Sequence, residues 1–276
     1  MIRDFYDIDL TDRNSFHVRQ RAARLVEFEM KDDLTAFFKA GAPDRWCVLA
    51  GGNNILFTQD FDGVLLTPCA TSIDIVSETP DAVVVRAAAG VEGDDLGAWA
   101  VERGLWGIEN LSLIPGKVGA APVQNVGAYG VEAKDTIESV EMFCVDTLNT
   151  LILSKEHCAF GYRESVFKHA LRGRVVITSV TFRLSRRPQP DLRYGDLLRE
   201  GASLENIREA VCAIRRSKLP DTAVLGNAGS FFKNPVVESA VAERLRAEYP
   251  EMPLYPASEQ GCAKLAAGWL IEQAGM

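Results

Sequence analysis

The stretch SLIPGKVGAAPVQNVGAYG, residues 112–130, decides the reading of this chain. It holds Gly116, Gly119, Gly127 and Gly130, the alanines Ala120, Ala121 and Ala128, and two prolines, Pro115 and Pro122. Lys117 is its only charged residue. Such a segment is no ordinary helix, because glycine loses the most backbone entropy on ordering and each proline removes a hydrogen-bond donor. It is also too long and too apolar for a simple surface turn. Bare N–H groups and small side chains suit a flat, phosphate-bearing guest whose diphosphate lies against the backbone. A tightly packed glycine-rich crossover without a ligand is the alternative that composition leaves open.

The rest of the chain frames that segment. Its 276 residues, 47% of them hydrophobic, bury one large domain or two to three small ones. A formal net charge of −8 with no long basic run argues against a nucleic-acid partner. No apolar run reaches the ~18 residues of a membrane span, and the polar, acidic N-terminus lacks the pattern of a secretory signal. Cys47, Cys69, Cys144, Cys158, Cys212 and Cys262 form no CxxC pair and read as reduced thiols. His17, His157 and His169 share no metal-ligand spacing, so no metal site is expected.

Upstream, residues 32–39 read as a helix and residues 46–50 as a buried strand ending at Gly51-Gly52-Asn53-Asn54. The apolar pattern resumes at 55–57. This turn is either an anion-binding nest or a plain hairpin connection. Strands are expected at 63–67, 82–89, 137–145, 150–154 and 175–184, and a helix at 94–103. The run RRPQP, residues 186–190, marks a boundary. Beyond it, helices are expected at 204–216, capped by Ser203, at 237–249 and at 263–273.

Three further places combine polar groups with unusual backbone demand. Arg163, after Gly161-Tyr162, could stabilise an oxyanion or clamp a carboxylate, or simply pair on the surface. Ser230, between Gly229 and two phenylalanines, could deliver a proton from a rigid, water-poor turn, or simply satisfy that turn. Arg215, Lys218 and Lys264 suit a phosphorylated substrate, although the first two also complement a helix dipole.

GGNNILF (51–57), SLIPGKVGAAPVQNVGAYGVE (112–132), FGYRESVFK (160–168), YGDL (194–197) and GNAGSFFKNP (226–235) occur in that order. Together they resemble the UDP-N-acetylenolpyruvoylglucosamine reductases, flavoenzymes that make UDP-N-acetylmuramate for peptidoglycan. YGDL resembles the branch with an extra tyrosine loop. The resemblance implies an α+β fold of the vanillyl-alcohol-oxidase type. Residues 1–62 and 63–186 would be two FAD-binding subdomains and residues 187–276 an α+β substrate-binding domain. FAD would be held by Gly51, Gly52, Asn53, Asn54, Ile55, Ser112, Ile114, Pro115, Gly116, Gly119, Ala120, Pro122, Gln124, Asn125, Gly127 and Ala128.

The resemblance also implies a reaction. NADPH would reduce the flavin, and hydride would then pass to the enolpyruvyl group of the nucleotide sugar. Arg163 would stabilise the charge that develops on the substrate carboxylate, and Ser230 would protonate the adjacent carbon. Tyr129, Tyr194, Arg215, Lys218, Asn234 and Lys264 match substrate-binding positions. A cytoplasmic monomer is expected. Members of the family continue beyond the segment KLAAGWLIEQ to a catalytic glutamate, whereas this sequence stops at Met276, so a chain shortened at its C-terminus is expected. A flavin- or UDP-sugar-binding remnant, or another FAD-linked oxidoreductase of the same fold, are the readings left open beside it.

Overall fold

The computed structural model describes residues 2–190, 203–227, 229, 231–257 and 259–275. It divides into two compact units, Met1–Asn227 and Ala228–Met276. Among the described residues no helix is long and apolar enough to cross a membrane.

The first unit opens with a four-stranded sheet. Strands β1 (Arg3–Asp9) and β2 (Arg21–Phe28) pair antiparallel; helix α1 (Lys31–Lys39) leads to β3 (Trp46–Val48), and β4 (Phe61–Pro68) lies between β2 and β3, parallel to both. The central strands bury both faces, as parallel strands do. Leu25 and Leu65 point into a cluster with Leu10, Leu49 and Phe57. Their neighbours Val26, Val64 and Leu66 point the other way, against Phe37 and Phe38 of α1 and against Phe143 and Val176. The parallel pairing of β3 with β4 corrects one expectation. The GGNN turn does not close a hairpin, because residues 55–57 form no strand and the chain crosses over before β4 begins.

A five-stranded antiparallel sheet follows. It contains β5 (Ile73–Glu78), β6 (Ala82–Ala88), β9 (Ile137–Cys144), β10 (Asn149–Ser154) and β11 (Val175–Ser185), in the order β10-β9-β11-β6-β5. Between β6 and β9 come helix α2 (Gly93–Glu102), the glycine-rich segment, the short pair β7 (Gly127–Ala128) and β8 (Val131–Glu132), and α3 (Ala133–Thr136). The largest core lies between this sheet and the intervening segment. Val85, Val140, Val180 and Leu184 pack there with Leu96, Leu105, Ile108 and Val118. The expected hairpin 137–154 and the strand near 175–184 are present.

Helix α4 (Leu204–Lys218) also belongs to the first unit. Ser203 caps it, its hydroxyl accepting the Asn206 N–H at 3.3 Å. Leu204, Ile207 and Val211 form its buried stripe, packing on Val101 and Trp106.

The second unit is a small three-stranded antiparallel sheet, β12 (Val236–Glu238), β13 (Leu254–Pro256) and β14 (Cys262–Leu265), with helices α5 (Ser239–Glu248) and α6 (Ala267–Gln273). Ala242, Met252 and Leu265 form its core. Here the helix expected from residue 263 starts later. Residues 262–265 instead form the middle strand of the sheet, which supplies the backbone partners a helical turn would have made internally.

Candidate functional site

Two loops of the first unit face each other across a cavity of about 590 Å³. One is the GGNN turn after β3; the other is the glycine-rich segment. Their backbones approach so closely that a Cβ on Gly51 would lie 3.3 Å from the Gly116 Cα. Gly52 is left-handed at φ 65°, and a Cβ there would sit 2.0 Å from the Arg13 carbonyl oxygen. Gly119 packs on Ala89, where a Cβ would meet Ala89 Cβ at 2.6 Å. These glycines leave bare backbone at the cavity wall. The volume falls in the range of ligand sites.

Of the residues expected to hold a cofactor, Gly51, Gly52, Asn53, Asn54, Ile55, Ile114, Pro115, Gly116, Gly119, Ala120 and Gln124 line this cavity. Asn54 Nδ2 donates to Gln124 Oε1 at 2.7 Å, tying the two loops together. Lys117, Lys168 and Arg172 add positive charge to the wall, which suits an anionic guest. Cys47 also lines it, but burial pushes that thiol up to about 11, so it stays protonated and non-nucleophilic. Ser112, Pro122, Asn125, Gly127 and Ala128 do not line the cavity. They belong to the frame behind it.

That frame holds three non-glycine residues of the segment in the left-handed region: Leu113 (φ 55°), Asn125 (φ 44°) and Tyr129 (φ 48°). Each is tied from outside. The Leu113 N–H donates to Asp94 Oδ1 at 2.7 Å, and its carbonyl accepts from Arg215 Nε at 3.0 Å. Fully buried Asn125 donates from Nδ2 to the Gly161 carbonyl at 2.9 Å and to Glu132 Oε2 at 3.0 Å, and its Oδ1 accepts the Lys134 N–H at 3.0 Å. Asn110 Nδ2 donates to the Tyr129 carbonyl at 2.9 Å. Left-handed non-glycine residues concentrate at functional sites, where surrounding contacts offset their cost.

Arg163, itself left-handed at φ 57°, donates from Nη1 to the Asn125 carbonyl at 3.1 Å and from Nη2 to that of Gly127. Its guanidinium therefore stands against the end of the glycine-rich segment rather than on an open surface. Arg215 reaches the Tyr129 hydroxyl; burial pushes that hydroxyl up, and Arg215 partly opposes the shift. The first unit thus joins Arg163 and Tyr129 to one segment, and α4 brings Arg215 onto it. Lys218 is exposed in the last turn of α4.

Asn234 and Lys264 lie together in the second unit. Asn234 Oδ1 accepts the Ala267 N–H at 3.0 Å, and Lys264 stands opposite Val236 in the sheet. Ser230 and Tyr194 lie outside the described residues.

Sequence reasoning missed the residues that brace the loops. Ser15 donates its N–H to the Gly52 carbonyl at 3.1 Å and accepts the Asn227 N–H at 2.7 Å, which brings the start of GNAGSFFKNP to the GGNN turn. His17 Nε2 donates to the Thr222 carbonyl in the same region. Asp94 and Arg208 were also missed, since an acid at a helix start and an arginine within a helix look ordinary. The buried polarity of Asn14 and Ser15, which marks the first of these braces, is visible only in the structure.

Comparison with known proteins agrees with this geometry. Residues 22–147 match the model of the FAD binding domain family, a span that includes both cavity loops. A UDP-N-acetylenolpyruvoylglucosamine reductase from Neisseria meningitidis serogroup C is 46% identical over 97% of this chain and 80% of its own length. One from Dechloromonas aromatica is 45% identical over 98% of this chain and 82% of its own length. The chain belongs to the UDP-N-acetylenolpyruvoylglucosamine reductase family. The crystal structure of a UDP-N-acetylenolpyruvylglucosamine reductase from Thermus caldophilus, 22% identical, shares the fold of this reductase with a TM-score of 0.63 over 100% of this chain and 93% of that one. The reductase is an FAD-containing oxidoreductase of α+β architecture. The side-chain-free backbone that Gly51, Gly52 and Gly116 present in the cavity wall fits the diphosphate of that cofactor.

Proposed function

We propose that the protein reduces the enolpyruvyl group of UDP-N-acetylenolpyruvoylglucosamine to give UDP-N-acetylmuramate for peptidoglycan, with NADPH as the reductant. The observation that carries this reading is Arg163, held by two carbonyls of the segment that lines the FAD cavity. Bound FAD supplies hydride transfer between NADPH and the substrate. In the net reaction the enolpyruvyl double bond gains hydride at one carbon and a proton at the other, while NADPH is oxidised. The Arg163 guanidinium stabilises negative charge that develops on the neighbouring carboxylate. Ser230 gives the proton to the second carbon.

The roles divide along the chain. Residues 1–62 and 63–186 hold FAD, and residues 187–276 bind the nucleotide sugar. Gly51 to Ile55 and Ile114 to Ala120 supply the cavity wall, with Ser112, Pro122, Asn125, Gly127 and Ala128 supporting it. Tyr129 and Arg215 orient the substrate at the edge of the segment, and Tyr194, Lys218, Asn234 and Lys264 also bind it. The enzyme acts in the cytoplasm as a monomer on small molecules. Its net charge of −8 repels nucleic acid.

Anaerobic half-reactions test the proposal. NADPH should bleach the yellow protein, and the enolpyruvyl nucleotide sugar should restore the colour. Ser230→Ala should leave the bleaching intact and slow the recovery by ~10²–10⁴. Colour restored by an unrelated acceptor, with no response to the nucleotide sugar, would overturn the substrate assignment.

A further inference from the structure

Helix α4 reaches the start of the cofactor segment through one largely buried side chain. Arg208 grips both oxygens of Asp94, Nη1 to Oδ1 at 2.7 Å and Nη2 to Oδ2 at 3.0 Å. Nη1 also donates to Ser112 Oγ at 2.7 Å. Ser112 Oγ donates its own hydrogen to the Glu109 carbonyl at 2.6 Å, which leaves a lone pair for the arginine. The partly buried pair joins three elements: α4, the first turn of α2, and the segment itself.

The consequence falls on Leu113. A left-handed non-glycine residue carries a conformational cost and needs an outside hold. Asp94 Oδ1, the oxygen that Arg208 grips, accepts the Leu113 N–H at 2.7 Å. The next three residues, Ile114, Pro115 and Gly116, line the cavity. The first turn of α2 holds their far end too, with the Gly93 N–H donating to the Gly116 carbonyl at 2.8 Å. The guanidinium packs over Gly97 of the same helix, where a Cβ would lie 3.4 Å from Arg208 Nη1.

The geometry points to Arg208 as a positioning residue for the flavin: through Asp94 and Ser112 it sets the left-handed turn at Leu113, and so the place where residues 114–116 meet the cofactor. This rests on the FAD reading above. A lysine at 208 keeps the charge but cannot span both carboxylate oxygens and Ser112 in one plane.

The test is titration of FAD into flavin-stripped protein, following the visible flavin band and the quenching of its fluorescence. Wild type, Arg208→Lys, Ser112→Ala, Asp94→Asn and the double variant Asp94→Asn/Arg208→Lys are compared, with thermal stability recorded for each. Arg208→Lys should weaken FAD binding about tenfold, the scale of one lost charge-assisted bond, and shift the bound flavin band. Ser112→Ala should move both readouts the same way by less. The double variant should bind FAD no more weakly than the worse single variant, because the two residues act as one unit. Affinity within about twofold of wild type together with an unshifted band would overturn the assignment, however far the melting temperature fell. If Arg208→Lys does not fold, Ser112→Ala decides by the same two readouts. Wild-type protein that takes up no FAD would overturn the functional reading and this inference with it. FAD uptake by wild type with indifferent variants overturns the inference alone.

Discussion

The two loops that line the cavity meet the same backbone demand in opposite ways. The GGNN turn uses glycine where nothing else fits: Gly52 is left-handed, and the Arg13 carbonyl occupies the space of any side chain. The glycine-rich segment also uses the left-handed region, but places Leu113, Asn125 and Tyr129 there. Those residues keep side chains and rely on hydrogen bonds to Asp94, from Arg215 and Asn110, and of the Asn125 amide itself. The first solution is steric and local. The second depends on partners up to a hundred residues away, so a change far from the cavity reaches the cofactor.

Gly52→Ala gives the largest expected effect. Gly104 is a matched control, since its φ is 66° and a Cβ there meets nothing within 4 Å. Gly104→Ala should cost ~1–2 kcal/mol, the conformational penalty alone. Gly52→Ala adds a backbone clash and should cost more than ~4 kcal/mol, at the exceptional end of single substitutions. Urea unfolding of both variants measures the difference. Near-equal values would mean that the Arg13 segment moves aside and that the turn is not sterically fixed.

Asn125 tests the other solution. Asn125→Ala removes three side-chain hydrogen bonds at a fully buried site and should cost ~2–4 kcal/mol. Asn125→Gly removes the same bonds but relaxes the backbone. If the amide partners matter most, the two variants should lie within ~1 kcal/mol of each other in urea unfolding. An Asn125→Gly protein as stable as wild type would place the segment with the steric class instead.

The contrast also explains what the sequence disclosed. Glycine density marked both cavity loops, because close backbone approach needs glycine wherever it occurs. The alternating runs of β6, β9 and β11 were legible for the same reason, since a half-buried strand must alternate and a central one must be apolar. The pairing of β3 was not. Parallel neighbours leave no turn signal, so a hairpin connection at GGNN stayed open beside the anion-binding nest. Strands β1 and β2 carry Asp4, Asp7, Arg21 and Arg24 among their apolar residues, and these charges match across the pair at Arg24–Asp4 and Arg21–Asp7 only once the register is known. Asp94 and Arg208 were hidden by distance: 114 positions separate them, and each has an ordinary explanation within its own helix. Arg163 was recognisable by its motif, but its anchoring to Asn125 and Gly127 was not.

Asp94 should make the bracing depend on pH. Burial alone pushes its carboxyl up, but hydrogen bonds from Arg208 and the Leu113 N–H outweigh that and hold it below the usual carboxylate value of 3.8. A depressed folded value means that the ionised form is the one folding favours. The contribution is therefore fully present above the unfolded carboxylate range and lost as pH falls through the lower folded value. Melting temperatures of wild type and Asp94→Asn should differ most at neutral pH and converge under strongly acid conditions. A gap that widens on acidification would contradict the assignment of the charge.

The smallest expected effect belongs to a pair with similar chemistry and no strained partner. Arg174 donates from Nε and Nη2 to Asp146 Oδ2 at 2.9 and 2.7 Å, close to the distances at Arg208. Yet its side chains are 62% and 56% exposed, and water competes for both. Exposed pairs contribute ~0.2–1 kcal/mol. Arg174→Ala should therefore shift urea unfolding by less than ~1 kcal/mol, and raised salt should shrink even that. The comparison with Arg208 then separates geometry from context. If Arg174→Ala costs as much as Arg208→Lys, short guanidinium–carboxylate bonds are valuable wherever they occur, and the bracing of Leu113 needs no special role. If the costs differ as expected, what matters at Arg208 is burial and the left-handed residue its partner holds.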